Sequence, residues 1–256
     1  ASMRIAAAGS LRAFPGPKVL DALGSALRNE SSARVKASFI AALGPDQATL
    51  HPLLRASLND TDGRVRANAV EAIGLSGDPA LIGELRPLLD AATPREVANV
   101  IVALARVPAH RPAAIAALER IFRVDDRGLL ASALWAAGEV AEPSHLPLLR
   151  ARVADADAMV RRNAIIALGK LQQPEAVELM VGLLLGPLDD AMAMARALGR
   201  LAAREREEVL IALARLSPEA RAPAVAAIGG CGLNYPDELD RLRSPVPTPA
   251  AGLARA

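Results

Sequence analysis

Aromatic side chains are almost missing from this chain: of 256 residues, one is Trp, one Tyr and three Phe. With hydrophobic content still at 52%, the core has to be built from Ala, Leu, Ile and Val, residues that let helices approach closely, and nothing favours a sheet. So few aromatics also argue against a nucleic-acid groove, which needs platforms on which bases stack. The single cysteine, Cys231, cannot form an internal disulfide, and the chain opens without a charged, apolar, small-residue signal segment, so a cytoplasmic location is expected. An excess of either charge is lacking as well: the net charge is +2 and the pI about 9.1, which by itself points neither to nucleic acid nor to an acidic membrane. No apolar run approaches the roughly 18 residues that span a bilayer, so no membrane insertion is expected.

What the chain does have is repetition. Ala-Ala-Leu-Gly at 41–44 returns as Glu-Ala-Ile-Gly at 71–74, Val-Ala-Leu-Ala at 102–105, Trp-Ala-Ala-Gly at 135–138, Ile-Ala-Leu-Gly at 166–169, Arg-Ala-Leu-Gly at 196–199 and Ala-Ala-Ile-Gly at 226–229. A period of about 30 residues is that of an α-solenoid, a repeat architecture that offers a long binding surface. Each repeat reads as two helices, with the second ending at the ruler Gly or Ala. First helices are expected at about 17–28, 46–58, 79–90, 109–122, 143–153, 174–185 and 204–215. Second helices are expected at about 32–43, 63–74, 94–105, 127–138, 158–169, 189–201 and 218–228. Starts are marked by Asp60, Asp62, Asp155 and Asp157 and by the capping box Thr93-Pro94-Arg95-Glu96. Pro-Leu-Leu-x-Ala at 52–56, 87–91 and 147–151 predicts kinks in three first helices. One solenoid is expected over 1–243, capped by a half-repeat at 3–14 and by 230–243, with a flexible Pro-rich tail at 244–256.

Two segments carry a family resemblance. Asp60-x-Asp62-Gly63-Arg64-Val65-Arg66-x-x-Ala69-x-x-Ala72-Ile73-Gly74 and Asp155-x-Asp157-Ala158-Met159-Val160-Arg161-Arg162-x-Ala164-x-x-Ala167-Leu168-Gly169 resemble HEAT repeats of the short bacterial type, also called phycobilisome-lyase-like HEAT repeats. The resemblance covers about 30–229, although the third, fourth and sixth units lack the Val-Arg pair. It implies an all-α, right-handed α-α superhelix of about six to seven two-helix repeats, with the second helices lining the concave surface.

Counting back from the ruler residue sorts each second helix by face, because every step turns it about 100°. The second position back is Ala42, Ala72, Ala103, Ala136, Ala167 and Ala197, where helix backbones must meet too closely for anything larger. The sixth back is Ser38, Asn68, Asn99, Ser132 and Asn163. This polar ladder either lines a groove for a peptide backbone or bonds loop carbonyls of the neighbouring repeat. The third, seventh and tenth positions back are expected on the concave side. The third-back series is Ala41, Glu71, Val102, Trp135, Ile166 and Arg196, apolar in the middle and charged at the flanks. Trp135, the lone tryptophan, either anchors a partner or fills a gap between repeats. The tenth-back row Arg34, Arg64 and Arg95, with Lys36 and Arg66 nearby, either grips acidic groups or forms a solvated rim paired to adjacent caps. A smaller cluster comprises Arg161, Arg162, Arg196 and Arg200.

Chemistry is not apparent. His51, His110 and His145 sit near the starts of first helices, never beside Glu, whereas a HEAT-type metal oxygenase resembling deoxyhypusine hydroxylase needs His-Glu pairs; no metal site and no cofactor are expected. Cys231 has no neighbouring His to activate it, and there is no P-loop. The reading is therefore a non-catalytic protein-interaction scaffold whose concave face takes a helix or extended segment of another protein, possibly an acidic one. Val102, Trp135 and Ile166 would anchor it. Two alternatives rest on the resemblance: a DNA-binding protein similar to HEAT-like alkylpurine DNA glycosylases, and a bilin-lyase-like enzyme subunit.

Overall fold

The structure, a computed structural model, describes residues 1–183 except 12, 15, 44–47, 92 and 172, together with 212, 213, 215–217 and 219. Arg196, Arg200, Cys231, the helices expected at 189–201 and 218–228, most of 204–215, the cap at 230–243 and the tail at 244–256 lie outside the described residues. The chain divides into two compact units, Ala1–Val140 and Ala141–Ala256.

In the first unit, α1 (Ser2–Leu11) precedes four helix pairs. These are α2 (Pro17–Asn29) with α3 (Ala33–Ala41), α4 (His51–Ser57) with α5 (Gly63–Leu75), α6 (Pro79–Gly83) and α7 (Leu88–Ala91) with α8 (Pro94–Ala105), and α9 (Arg111–Ile121) with α10 (Arg127–Val140). The second unit holds α11 (Leu146–Arg150), α12 (Ala158–Leu168) and α13 (Pro174–Leu183). No strand occurs among the described residues, and the fold class is the α-α solenoid of two-helix repeats. In the first unit the second helices α3, α5, α8 and α10 stack in one layer, and α2, α4, α6 with α7, and α9 pack on them from the other. The buried side chains between the layers are aliphatic almost throughout, with Ile40, Leu54, Ile73, Leu81, Ile101, Leu104, Leu118 and Leu134 among the largest.

The prolines do more than kink the first helices. Pro52 and Pro147 are the second residues of α4 and α11, which start directly after 3-10 turns at Ala48–Leu50 and Pro143–His145, and Pro87 falls in the gap between α6 and α7. A proline lacks the N–H and collides with the carbonyl four residues back, so here the helix stops and restarts. The second helices escape this because their described proline, Pro94, occupies the first turn of α8.

The ruler glycine also behaves differently from the expectation that it ends the helix. Helix α5 continues to Leu75 and α10 to Val140, and Gly169 caps α12 with a right-handed φ of −66°. Among the described glycines, positive φ occurs only at Gly16 and Gly77. Gly74 is instead required by space: a Cβ there would stand 2.7 Å from Cβ of Ala103 and 3.2 Å from its Cα. Ala103 is one of the second-back alanines, and Ala42, Ala72, Ala103, Ala136 and Ala167 are all buried. Gly and Ala together let adjacent second helices touch backbone to backbone.

Candidate functional site

Each second helix is positioned by the loop before it. In α5, the Asp60 carboxylate accepts from the Asp62 N–H (2.9 Å), and Asp62 accepts from the Arg64 N–H (2.8 Å). In α12 the same turn recurs: Asp155 accepts from the Asp157 N–H (3.0 Å), and Asp157 accepts from Met159 (2.8 Å) and Val160 (3.0 Å). Before α3 the role of the first Asp falls to Glu30, which accepts from the Ser32 N–H (2.9 Å). The motif arginines close these loops: Arg66 donates to the carbonyls of Asp60 (2.8 Å) and Thr61 (3.1 Å), and Arg161 to those of Asp155 (2.9 Å) and Ala156 (3.0 Å).

The same groups join one repeat to the next. Lys36 donates to Asp60 (3.1 Å), and Arg66 pairs with Glu96 (2.8 Å), whose other oxygen accepts from the Thr93 N–H (3.1 Å). Glu96 is only 4% exposed, so this carboxylate caps its own helix and receives the preceding repeat's cation in one buried place. The Asp60 carboxyl is lowered below its usual range, first by the Asp62 N–H and then by Lys36. Lys36, Arg66 and Arg161 are thus structural: the first two leave the surroundings of the cation row expected from the sequence, and Arg161 leaves the smaller cluster.

The polar ladder divides by residue type. Asn68 donates to the Ala37 carbonyl (2.8 Å) and Asn99 to the Ala67 carbonyl (3.0 Å), each reaching the second helix of the preceding repeat. The acceptors lie within the helices rather than in loops. Ser38 and Ser132, too short to cross, donate to Arg34 (3.0 Å) and Gly128 (2.9 Å) on their own helices. The seventh-back position follows from this contact. It was expected on the open face, yet Ala37, Ala67, Ala98 and Ala131 are all buried, because it is where the next helix arrives. In the second unit, α12 carries Arg162 at this position, and Arg162 is exposed.

What stays open on the first unit is a strip at the tenth-back, third-back and one-past-ruler positions. It holds Arg34 and Ala41 on α3; Arg64, Glu71 and Leu75 on α5; Arg95, Val102 and Arg106 on and beside α8; and Gly128, Trp135 and Glu139 on α10. Trp135 is 38% exposed, as is Leu75, while Val102 is half-buried. Ile166, half-buried, holds the third-back place on α12 in the second unit. The cations of the strip are not equivalent. Arg64 forks onto Asp62 (3.1 and 2.7 Å), which holds that carboxyl down at about 2. Arg34, Arg95 and Arg106 make no ion pair with any described residue. Leu75 and Arg106 were missed by the sequence reading because it stopped each helix at the ruler. The Arg106 guanidinium would lie 3.5 Å from a Cβ at Gly74, so the bare glycine gives it room to lean over α5.

The histidines serve the first helices. His110 Nε2 lies 2.9 Å from the Pro79 carbonyl, His51 Nδ1 lies 3.8 Å from Asp78, and His145 is fully buried. Among the described residues no three His, Cys, Asp or Glu side chains converge on a metal-sized space, and no described helix is long and apolar enough to cross a membrane. A shallow depression lined by Pro108, Arg111, Pro112, Ile115, Ala116 and Glu119 lies along α9, in the other layer, and gathers no catalytic set.

Comparison with known proteins places these features in a wider group. The family model described as HEAT repeats matches residues 50–136 and 125–199. No curated protein matches the chain. Among solved structures, a chain from the complex of CpcE and CpcF of phycocyanin lyase from Nostoc sp. PCC7120 is 20% identical, with 90% of this chain and 95% of that chain covered and a TM-score of 0.53. Human deoxyhypusine hydroxylase in complex with glycerol is 21% identical, covering 88% of each chain with a TM-score of 0.39. A designed armadillo repeat protein is 21% identical, covering 70% of this chain and 99% of that one with a TM-score of 0.35.

Proposed function

The chain belongs to the HEAT-repeat family, and from that premise we propose that it is a non-catalytic interaction scaffold that holds a segment of another protein against the exposed face of its second helices. The observation that carries this is Trp135, the lone tryptophan, left 38% exposed on the open face of α10, whereas Phe39 and Phe122 are buried and the exposed Phe14 lies in the loop before α2. An exposed Trp on the helix next to Val102, with Leu75 one helix further along the same strip, is the kind of anchor that dominates interfaces. On this reading Glu71, Arg34, Arg64 and Arg95 belong to the same open strip of the first unit as the anchor, and Ile166 and Arg162 are partner-binding candidates on α12 of the second unit. The similar chain from Nostoc was solved as a complex of two proteins, which is in keeping with such a use of the fold. A phosphate backbone is a poorer occupant, since Lys36, Arg66 and Arg161 are committed to carboxylates or carbonyls and, among the described residues of the first unit's strip, only Arg34, Arg95 and Arg106 are without an ion pair to release counterions.

The test is co-purification from the native cell with wild-type protein and with Trp135→Ala. A partner retained by the first and lost by the second, with helical content unchanged, supports the reading. Equal retention by both removes Trp135 from the interface.

A further inference from the structure

We propose that the segment received by this face is an acidic amphipathic helix lying along α8, its carboxylates on Arg95 and Arg106 and its apolar side chains on Val102, Leu75 and Trp135. The proposal rests on the interaction reading above and adds the occupant's chemistry and direction.

Helix α8 carries two cations with no ionic partner among the described residues, Arg95 in its first turn and Arg106 at its C-cap. Eleven residues separate them, about three turns, so they share a face about 16 Å apart, with Val102 between. The C-cap cation helps its own helix, whereas Arg95 sits where the helix dipole disfavours positive charge, so helix stability gives no reason for it. Register places the apolar groups around Val102. Asn99 reaches the Ala67 carbonyl and Ala103 touches Gly74, which sets Val102 level between Glu71 and Leu75 of α5. Trp135 stands at the equivalent place on α10, the neighbour of α8 on its other side.

Charge complementarity selects an anionic occupant, and spacing selects a helix. A helix returns a side chain to the same face after eleven residues, so glutamates or aspartates at i and i+11 meet both arginines while residues at i+4 and i+7 meet the apolar centre. An extended strand covers about 16 Å in five residues and turns its second carboxylate to the opposite face. The arginines of the neighbouring helices are less suited: Arg64 is already forked onto Asp62, and Arg34 lies two second helices away from α8.

Trp135 is the only tryptophan, so its emission reports on this face alone. The probe is a synthetic helical peptide with glutamates eleven residues apart and leucines at the fourth and seventh positions after the first, titrated into the full chain. A saturable blue shift is expected, weakened about tenfold by Arg95→Gln with Arg106→Gln and absent when the peptide's glutamates are lysines. No saturable shift, or the same shift with the lysine peptide, overturns the proposal. Thermal melts of the double variant verify that it is folded. If a native partner depends on Trp135 yet binds the double variant as well as wild type, the scaffold reading stands and the acidic helix falls. If the partner ignores Trp135 altogether, the scaffold reading itself fails.

Discussion

Along the second helices of the first unit, the strip that meets the preceding repeat holds Ala42, Ala72, Ala103 and Ala136, while the strip one residue earlier holds Ala41, Glu71, Val102 and Trp135. The two are neighbours in sequence and about 100° apart around the helix. The first is buried throughout, pinned by contacts as close as that of Gly74 with Ala103; the second ranges from exposed to half-buried and changes character at every repeat. Packing tolerates one residue type where backbones touch and is indifferent where they do not. The side chains of the second strip are therefore free to serve something other than the fold, and the way to test the contrast is to perturb each strip and compare what is lost.

The largest effect is expected from Gly74→Leu. Replacing a helical glycine usually gains about 0.5–1 kcal/mol in backbone entropy, but a Cβ 2.7 Å from that of Ala103 and 3.2 Å from its backbone cannot be accommodated without separating α5 from α8. Overpacking should prevail, with a net loss of about 3 kcal/mol in urea unfolding. A loss below about 0.5 kcal/mol would mean the seam is loose and the contrast between strips unfounded.

Next comes the ionic link across the seam. Arg66→Ala strips Glu96 of its cation and two loop carbonyls of a donor. Breaking a fully buried pair costs about 3–5 kcal/mol, and with Arg66 partly exposed about 2 kcal/mol is expected. Adding Glu96→Gln to Arg66→Ala should recover part of this in a double-mutant cycle, since it removes the stranded charge.

Asn99→Ala should cost about 1 kcal/mol, the worth of a buried hydrogen bond to a carbonyl, whereas Ser132→Ala should change stability by less than about 0.5 kcal/mol, because its hydroxyl bonds only its own helix. Equal costs would show that the ladder acts within helices and not between them.

The difference between the strips also explains what could be read from the sequence. The helix pairs, the alanine seam and the Asp starts of α5 and α12 were legible because each is dictated by local chemistry that recurs. The restart at Pro87, the extension of α5 through Leu75 and the burial of Ala67 were not, since they depend on where the neighbouring helix arrives. Gly74 marks the seam by what it lacks, and a one-letter pattern does not distinguish a glycine that ends a helix from one that makes room for Ala103. The separation of Arg66 from Arg95 was equally hidden: both are arginines near helix starts, and only the position of Glu96 reveals that one is committed and the other open.

The smallest effect on stability, and the sharpest on the contrast, is expected from Arg95→Glu. The new carboxylate would enter the first turn of α8, where the helix dipole favours negative charge by about 0.3–1 kcal/mol, offset in part by its neighbour Glu96. The melting temperature should stay level or rise slightly, while binding of the acidic peptide to the Trp135 face should weaken, first in its association rate. A change that leaves the fold as stable and the face less able to bind assigns Arg95 to the partner rather than to the solenoid. A loss of 1 kcal/mol or more would return it to the structure, because surface substitutions without a contact stay within about 0.5 kcal/mol.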